Sequence, residues 1–107
     1  MNTPVYDFLI QYAERDPVRL HMPGHKGRFG APALQRATTL DLTEITGADS
    51  LFEAEGILAE SERNAASLYG TAYTFYSCGG STLCIQTMLL LMKQQGRAVL
   101  AARNVHR

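Results

Sequence analysis

The stretch Ser77-Cys78-Gly79-Gly80-Ser81-Thr82 lies between an aromatic, β-prone run and a strongly apolar helical run. Two glycines followed by two hydroxyls at this junction predict a tight strand-to-helix turn, because glycine has no Cβ and tolerates positive φ. The first amides of a helix lack intrahelical partners, and the helix dipole adds partial positive charge there. The stretch is therefore a candidate phosphate cradle. A tight turn with a good N-cap explains the same residues, and the local pattern leaves both interpretations open.

The segments on either side of this turn predict a βαβ unit. Upstream, Ala72 to Ser77 is rich in Tyr, Thr and Phe, which is typical of a strand. Downstream, Ser81 to Gln95 predicts a helix that is apolar on nearly every side and therefore needs cover on most faces. Ala98 to Ala102 predicts a second strand, buried on both faces. The predicted class is α/β, with a right-handed crossover between the two strands.

The rest of the chain predicts two further helices joined by long irregular segments. The first runs from about Pro4 to Arg15, with Thr3 as N-cap, and the second from Glu55 to Tyr69, with Gly70 as the stop. The segment from Leu34 to Asp49 has weak periodicity and is expected to be mostly irregular. Because two parallel strands do not make a covered sheet, we expect an N-terminal portion of a larger α/β protein. A complete small domain is the less favoured alternative.

Composition indicates a globular chain and argues against several classes of partner. The 107 residues are 46% hydrophobic, with a formal net charge of zero. This balance argues against a nucleic-acid-binding surface and against an electrostatic membrane anchor. No secretory signal is visible, and the longest apolar run is too short to cross a bilayer. Cys78 and Cys84 then fit reduced thiols. We therefore expect a cytoplasmic protein with neither nucleic acid nor membrane as a partner.

Four short blocks follow one another along the chain in a specific order. They are His21-Met22-Pro23-Gly24-His25-Lys26-Gly27, Asp41-Leu42-Thr43-Glu44-Ile45, Cys78-Gly79-Gly80-Ser81-Thr82 and Arg103-Asn104-Val105-His106-Arg107. In this order and spacing the chain resembles the major domain of the bacterial ornithine/lysine/arginine decarboxylases. These are pyridoxal 5'-phosphate (PLP) enzymes of the aspartate aminotransferase fold, fold type I. Each block alone is weak, but together they are specific, and they cover nearly the whole chain.

The resemblance implies an architecture. It makes the chain the N-terminal part of a PLP-dependent transferase-like large domain, in which helices flank an incomplete parallel or mixed sheet. Residues 1–40 would form an N-terminal helix and an arm at the active-site entrance. Residues 41–107 would begin the PLP-binding major domain, which is truncated here.

The resemblance also implies roles for individual residues. The matching phosphate-loop residues are Gly80, Ser81 and Thr82. His106 matches the family histidine that stacks on the pyridine ring, which makes it the candidate catalytic residue as well as a cofactor contact. His25 and Lys26 match a segment near the active-site entrance and would lie on the substrate side. No metal is expected, because Pro23 and Gly24 break the helix on which His21 and His25 would share a face.

This chain departs from the family pattern in two ways. The changes in the matching blocks are small, whereas two functional residues of the family have no counterpart. Many members carry Asn-Gly where this chain reads Cys78-Gly79-Gly80, and lysine is usual where Arg107 stands. Both changes keep the required property, backbone access in the first case and positive charge in the second. The family aspartate that pairs with the pyridine nitrogen and the Schiff-base lysine lie downstream, and neither has a counterpart here. Lys26 and Lys93, the two lysines present, lack a setting that would activate an amine.

The function implied by the resemblance is decarboxylation of a basic amino acid: arginine, lysine or ornithine, yielding a polyamine precursor. The complete enzyme would be a homo-oligomer, a dimer or larger, and the 107-residue chain alone is predicted to be inactive. Two alternatives belong to other classes. One is a non-catalytic phosphate-binding or assembly module. The other is a fold type I PLP enzyme with different chemistry, since fold and phosphate loop do not fix the reaction.

Overall fold

Four helices make up the regular structure of residues 2–103. A computed structural model describes residues 2–103, with α1 at Pro4–Glu14, α2 at Pro32–Leu40, α3 at Ile57–Tyr69 and α4 at Gly80–Gln94. The chain divides into two compact units between Phe75 and Tyr76, with α1 to α3 in the first and α4 in the second. The boundary after residue 40 that the resemblance implies is a division by function, between an entrance arm and a cofactor-binding domain. It does not coincide with the division into compact units and stays a prediction.

Helix α1 begins where the sequence predicts. Pro4 occupies the first helical position and is buried. Thr3 precedes it, but its side chain does not cap the helix amides. Its backbone N–H and its hydroxyl instead donate to the Asp7 carboxylate, at 3.1 and 2.9 Å. The Asp7 side chain, one turn into the helix, thus holds Thr3 at the start of α1.

Helix α3 is anchored at its start by the side chain of Asp49. The Asp49 carboxylate accepts four backbone N–H groups, from Ser50 at 2.8 Å, Glu55 at 3.2 Å, Gly56 at 2.8 Å and Leu58 at 2.9 Å. Gly56 and Leu58 lie at the helix start, where amides lack intrahelical partners. Desolvation raises the pKa of the Asp49 carboxyl, but the four amide hydrogen bonds together outweigh it and hold the pKa below its ordinary value.

Helix α2 was not predicted, and the expectation of a mostly irregular segment is wrong for residues 34–40. Pro32 supplies the favoured first residue of a helix. Thr38 and Thr39 sit on the last turn, and both hydroxyls donate back to the Gln35 carbonyl, at 2.9 and 2.8 Å. Its apolar residues Ala33, Leu34, Ala37 and Leu40 do lie at helical spacing, but this pattern is short and follows a loop rich in glycine and proline. Contacts with α1 and with Arg19, which no local pattern reveals, help to hold it.

The two predicted strands are not formed as strands within residues 2–103. Residues 73–77 are neither helical nor part of a ladder, and the rings of Tyr73 and Phe75 stack with centroids 6.4 Å apart. Residues 98–102 are likewise irregular. A segment becomes a strand only when a second segment supplies the matching ladder. The α/β class and its sheet therefore stay predictions.

The core of the first unit lies where α1 packs against α2 and α3. Ala66 of α3 and the charged residue Arg19 are both buried in this unit. A cavity of about 460 Å³, lined mostly by apolar side chains, lies beside α1 and the start of α3. In the second unit, every described residue of α4 is exposed.

Candidate functional site

The glycine-rich turn at the start of α4 leaves three backbone amides available. Gly79 is the N-cap, and its own N–H donates to the hydroxyl of Ser77 at 3.1 Å. The next three amides, of Gly80, Ser81 and Thr82, have no carbonyl four residues back within the helix. No acidic residue occupies the first turn, and all three residues are exposed. The turn therefore presents N–H groups and positive dipole charge without a competing carboxylate.

The two glycines of this turn are required for different reasons. A Cβ on Gly79 would lie 2.5 Å from Leu83 Cδ2 and 2.7 Å from Leu83 Cβ, so there is no room for a side chain. Gly80 has a φ of +66°, a conformation that side chains disfavour, and no atom lies within 4 Å of a Cβ built there. The Cβ side of the Gly80 backbone is thus open. The exposed turn and its unpartnered helix-start amides are compatible with a phosphate group.

The resemblance implies one further cofactor contact, which the structure does not describe. His106, the candidate ring-stacking and catalytic residue, lies outside the described residues, as does Arg107. Cys78 and Cys84 are free and exposed thiols on either side of the turn.

The loop that carries His25 and Lys26 has a defined hydrogen-bonding pattern. The Gly27 N–H donates to His25 Nδ1 at 3.1 Å, and His25 Nε2 lies 3.1 Å from Asp41 Oδ2. An imidazole that accepts at Nδ1 carries its proton at Nε2 when neutral. His25 therefore donates from Nε2 to the Asp41 carboxylate. Both of its ring nitrogens are engaged within the chain.

Lys26 and His21 complete this loop. The Lys26 ammonium donates to the carbonyl oxygen of His21. The His21 ring lies against Tyr12, with the Tyr12 hydroxyl 2.8 Å from His21 Nε2. The structure thus gathers the two implied substrate-side residues, His25 and Lys26, in one loop. In this arrangement each of them makes a hydrogen bond that holds the loop together.

Arg19 is the residue that sequence reasoning missed. It is only 9% exposed, and its guanidinium donates to the carbonyl oxygens of Thr39 at 2.6 Å, Asp41 at 3.3 Å and Thr38 at 3.5 Å. Arginine is rarely buried, so composition favours an exposed position. No local signal marks it, because alternation with the apolar residues Val18 and Leu20 would turn Arg19 outward, whereas in the structure those two neighbours are 87% and 90% exposed and Arg19 faces inward.

Residues 2–103 contain no group of three His, Cys, Asp or Glu side chains arranged to hold a metal ion. Among the helices of that same range, none has the length and apolar character needed to span a bilayer.

The sequence model of the family described as Orn/Lys/Arg decarboxylase, major domain, matches residues 3–107. The chain belongs to this family.

Individual relatives give the same result. The chain is 34% identical to an arginine decarboxylase of Bacillus subtilis (strain 168) and 32% identical to one of Bacillus cereus, over 98% of this chain in both cases. It is also 34% identical to the uncharacterized protein YaaO of Bacillus subtilis (strain 168) over its full length. The chain spans about a quarter of each relative, 23%, 24% and 23% respectively. No solved structure matches it.

Proposed function

We propose that this chain is the N-terminal portion of a PLP-dependent decarboxylase of basic amino acids and contributes the phosphate-binding loop of that enzyme. The observation that carries the proposal is the family match over residues 3–107, which includes the glycine-rich turn at the start of α4. The names of the relatives favour arginine as the substrate. Lysine and ornithine belong to the same substrate class.

In this proposal the start of α4 binds the phosphate of PLP. The amides of Gly80, Ser81 and Thr82 donate to phosphate oxygens, and the hydroxyls of Ser81 and Thr82 add donors at the same place. Bound PLP supplies an electron sink for cleavage of the bond to the substrate carboxylate. His106 would lie over the pyridine ring and hold its plane. Phosphate binding at a helix start positions the ring without contacting the reacting atoms.

The chain is proposed to act only as part of a longer polypeptide or assembly. The resemblance assigns the Schiff-base lysine and the aspartate partner of the pyridine nitrogen to a region beyond these residues. Without an activated lysine, the chain should bind the cofactor phosphate and show no turnover. The complete enzyme is proposed to be a homo-oligomer that acts on a basic amino acid.

A titration of the ¹⁵N-labelled chain tests phosphate binding. The probe is pyridoxine 5'-phosphate, which lacks the aldehyde and so forms no adduct with Lys26 or Lys93. We expect it to shift the amide signals of Gly80, Ser81 and Thr82, as inorganic phosphate should, whereas pyridoxine without phosphate should not. Ser81→Asp places a carboxylate in the turn and should weaken binding at least about tenfold. Ser67→Asp, on the exposed surface of α3, is the matched control.

The outcomes separate the proposal from its alternatives. Equal shifts with pyridoxine, or unchanged binding by Ser81→Asp, would show that the turn is only a helix start. Binding of inorganic phosphate without any preference for the pyridoxine phosphate is expected of a non-catalytic phosphate-binding module. A decarboxylase assay with PLP and arginine, lysine or ornithine should give no turnover above free PLP. Turnover by the 107-residue chain would contradict the assignment of the lysine to another region.

A further inference from the structure

We propose that Arg19 is a positioning residue, which sets the tautomer and orientation of the His25 imidazole through the backbone of Gly27. The inference rests on the proposed function and deepens it, because the resemblance behind that function implies that His25 and Lys26 lie on the substrate side. It is carried by the surroundings of the Arg19 guanidinium, which connect α2, Tyr12 and the loop of residues 21–27.

The guanidinium of Arg19 lies at the C-terminal end of α2, and its partners are carbonyl oxygens. It donates to Thr39 and Asp41 and more weakly to Thr38. These groups belong to the last turn and C-cap of α2, where the helix end carries partial negative charge, and the Thr38 carbonyl also accepts the Asp41 N–H at 3.3 Å. No carboxylate among residues 2–103 forms an ion pair with Arg19. The positive charge is therefore balanced by the end of a helix and not by a carboxylate.

Tyr12 covers the guanidinium from α1. The Arg19 Cζ atom lies 5.2 Å from the centroid of the Tyr12 ring, within the range of a cation–π contact. The hydroxyl of the same Tyr12 contacts His21 at the start of the loop. Arg19 thus holds the ring that orients the first histidine of the loop.

Gly27 is the link between Arg19 and His25. A Cβ at Gly27 would lie 2.6 Å from Arg19 Cζ and 2.7 Å from Nη1, and Gly27 has a φ of +75°. The Gly27 backbone therefore rests directly on the guanidinium, with no space for a side chain between them. Its carbonyl accepts from Gln35 Nε2 at 2.8 Å, and its N–H donates to His25 Nδ1 at 3.1 Å. A shift of the guanidinium moves this N–H, which is the group that selects the proton position on His25.

Lysine cannot perform this task. The three carbonyl oxygens and the aromatic ring suit a planar group with several fixed donors, which is the property of guanidinium. An ammonium is compact and strongly hydrated, and it would leave the surface under Gly27 uncovered. The chain thus needs both the shape and the charge of arginine at position 19.

The test observes the tautomer directly in the 107-residue chain. Long-range ¹H–¹⁵N spectra at about pH 8, where an ordinary histidine is neutral, should show His25 with its proton on Nε2. A scalar coupling across the N–H···N bond should connect the Gly27 amide to His25 Nδ1. The absence of this coupling in the unmodified chain would overturn the proposal without the need for any variant.

Variants then test the role of Arg19. Arg19→Lys should abolish the coupling and leave His25 as a mixture of tautomers, whereas Arg36→Lys, on the exposed face of α2, should change neither. Arg19→Ala should regain the coupling with millimolar ethylguanidinium and not with ethylammonium, since only the former has the planar donor set. Retention of the pure Nε2–H tautomer in Arg19→Lys, or equal rescue by the two ions, would overturn the proposal.

The result is independent of cofactor binding. The tautomer and the coupling are measured without PLP, and the pyridoxine phosphate titration reports on residues 80–82. Failure of one experiment therefore leaves the other interpretable. Where Arg19→Ala folds only with ethylguanidinium, the tautomer and the coupling are read in the rescued chain, and their absence there would overturn the proposal.

Discussion

The two units of this chain hold their backbones in different ways. In the first, the buried side chain of Arg19 binds backbone carbonyls 19 to 22 residues away, and the half-buried side chain of Asp49 binds backbone amides up to nine residues away. In the second, α4 has its own hydrogen bonds and a turn shaped by glycine, and its apolar side chains remain exposed. Irregular backbone in the first unit is thus fixed by side chains, whereas the second unit is fixed by local conformation.

The two units also differ in how much apolar surface they bury. The apolar side chains of α4 retain much of their exposure, as with Met88 at 58% and Leu90 at 57%. A helix of this length is marginal in water without tertiary packing. The free energy that those side chains can contribute on burial has therefore not been gained within residues 76–103.

Amide hydrogen exchange should show the largest difference between the two units. We expect the amides of α3 to be protected about a hundredfold more than those of α4, because local opening of α4 breaks few tertiary contacts. Exchange measured by mass spectrometry after pepsin digestion separates the two helices. Equal protection in both would mean that α4 is covered in solution, for example by a second copy of the chain.

Gly27→Ala should give the next largest effect. The added Cβ meets the Arg19 guanidinium at 2.6 Å, and the residue must keep a positive φ. We expect the free energy of unfolding to fall by about 2–4 kcal/mol, which combines overpacking with left-handed backbone strain. Urea denaturation measures it. Gly24→Ala is the matched control, since no atom lies within 4 Å of its Cβ and its φ is not positive.

Asp49→Asn should destabilise the first unit in a manner that depends on pH. The pKa of Asp49 is lowered in the folded chain, so its carboxylate contributes stability above its ordinary value of 3.8, and that contribution is lost as the pH falls through the folded pKa. The melting temperatures of wild type and variant should therefore differ at about pH 6 and converge toward about pH 2. A difference that does not change over this range would assign the effect to packing. Glu53→Gln, at an exposed site nearby, is the control.

Gly80→Ala should have the smallest effect on stability. The φ of +66° is strained for alanine, but no atom obstructs its Cβ, so the loss should be about 1 kcal/mol. Helix content measured by circular dichroism and the pyridoxine phosphate titration should be recorded together. A loss of binding with little loss of helix would place the ligand against Gly80. Gly96→Ala, with a similar φ at the other end of α4, is the control.

Local signals in the sequence predicted three of the four helices. Proline at the start of α1, glycine after α3 and the glycine pair before α4 mark boundaries that depend only on neighbouring residues. Helix α2 escaped because its support comes from Arg19, more than a dozen residues upstream of the carbonyls it contacts. The sheet cannot be judged from residues 2–103, since each predicted strand needs a partner segment to form a ladder.

The candidate site divides in the same way. The glycine-rich turn at the start of α4 was predictable because glycine, serine and helix start are adjacent in sequence, and its phosphate binding stays a prediction. The pairing of His25 with Asp41 spans 16 residues and joins two of the family blocks, yet no spacing rule connects them. Its partner network through Gly27 and Arg19 emerges only when the chain is folded, because burial of an arginine cannot be inferred from its neighbours.

The Asp49 carboxylate gathers amides from both sides of a short excursion of the chain. Ser50 lies before the excursion and Glu55 after it, while Phe52 at its tip is 97% exposed. Both ends of the excursion are hydrogen-bonded to the Asp49 side chain. Residues added at its tip therefore raise the entropic cost of closing the loop only slowly. Position 52 is therefore a suitable point for grafting a foreign peptide or an affinity tag, with α3 left in place.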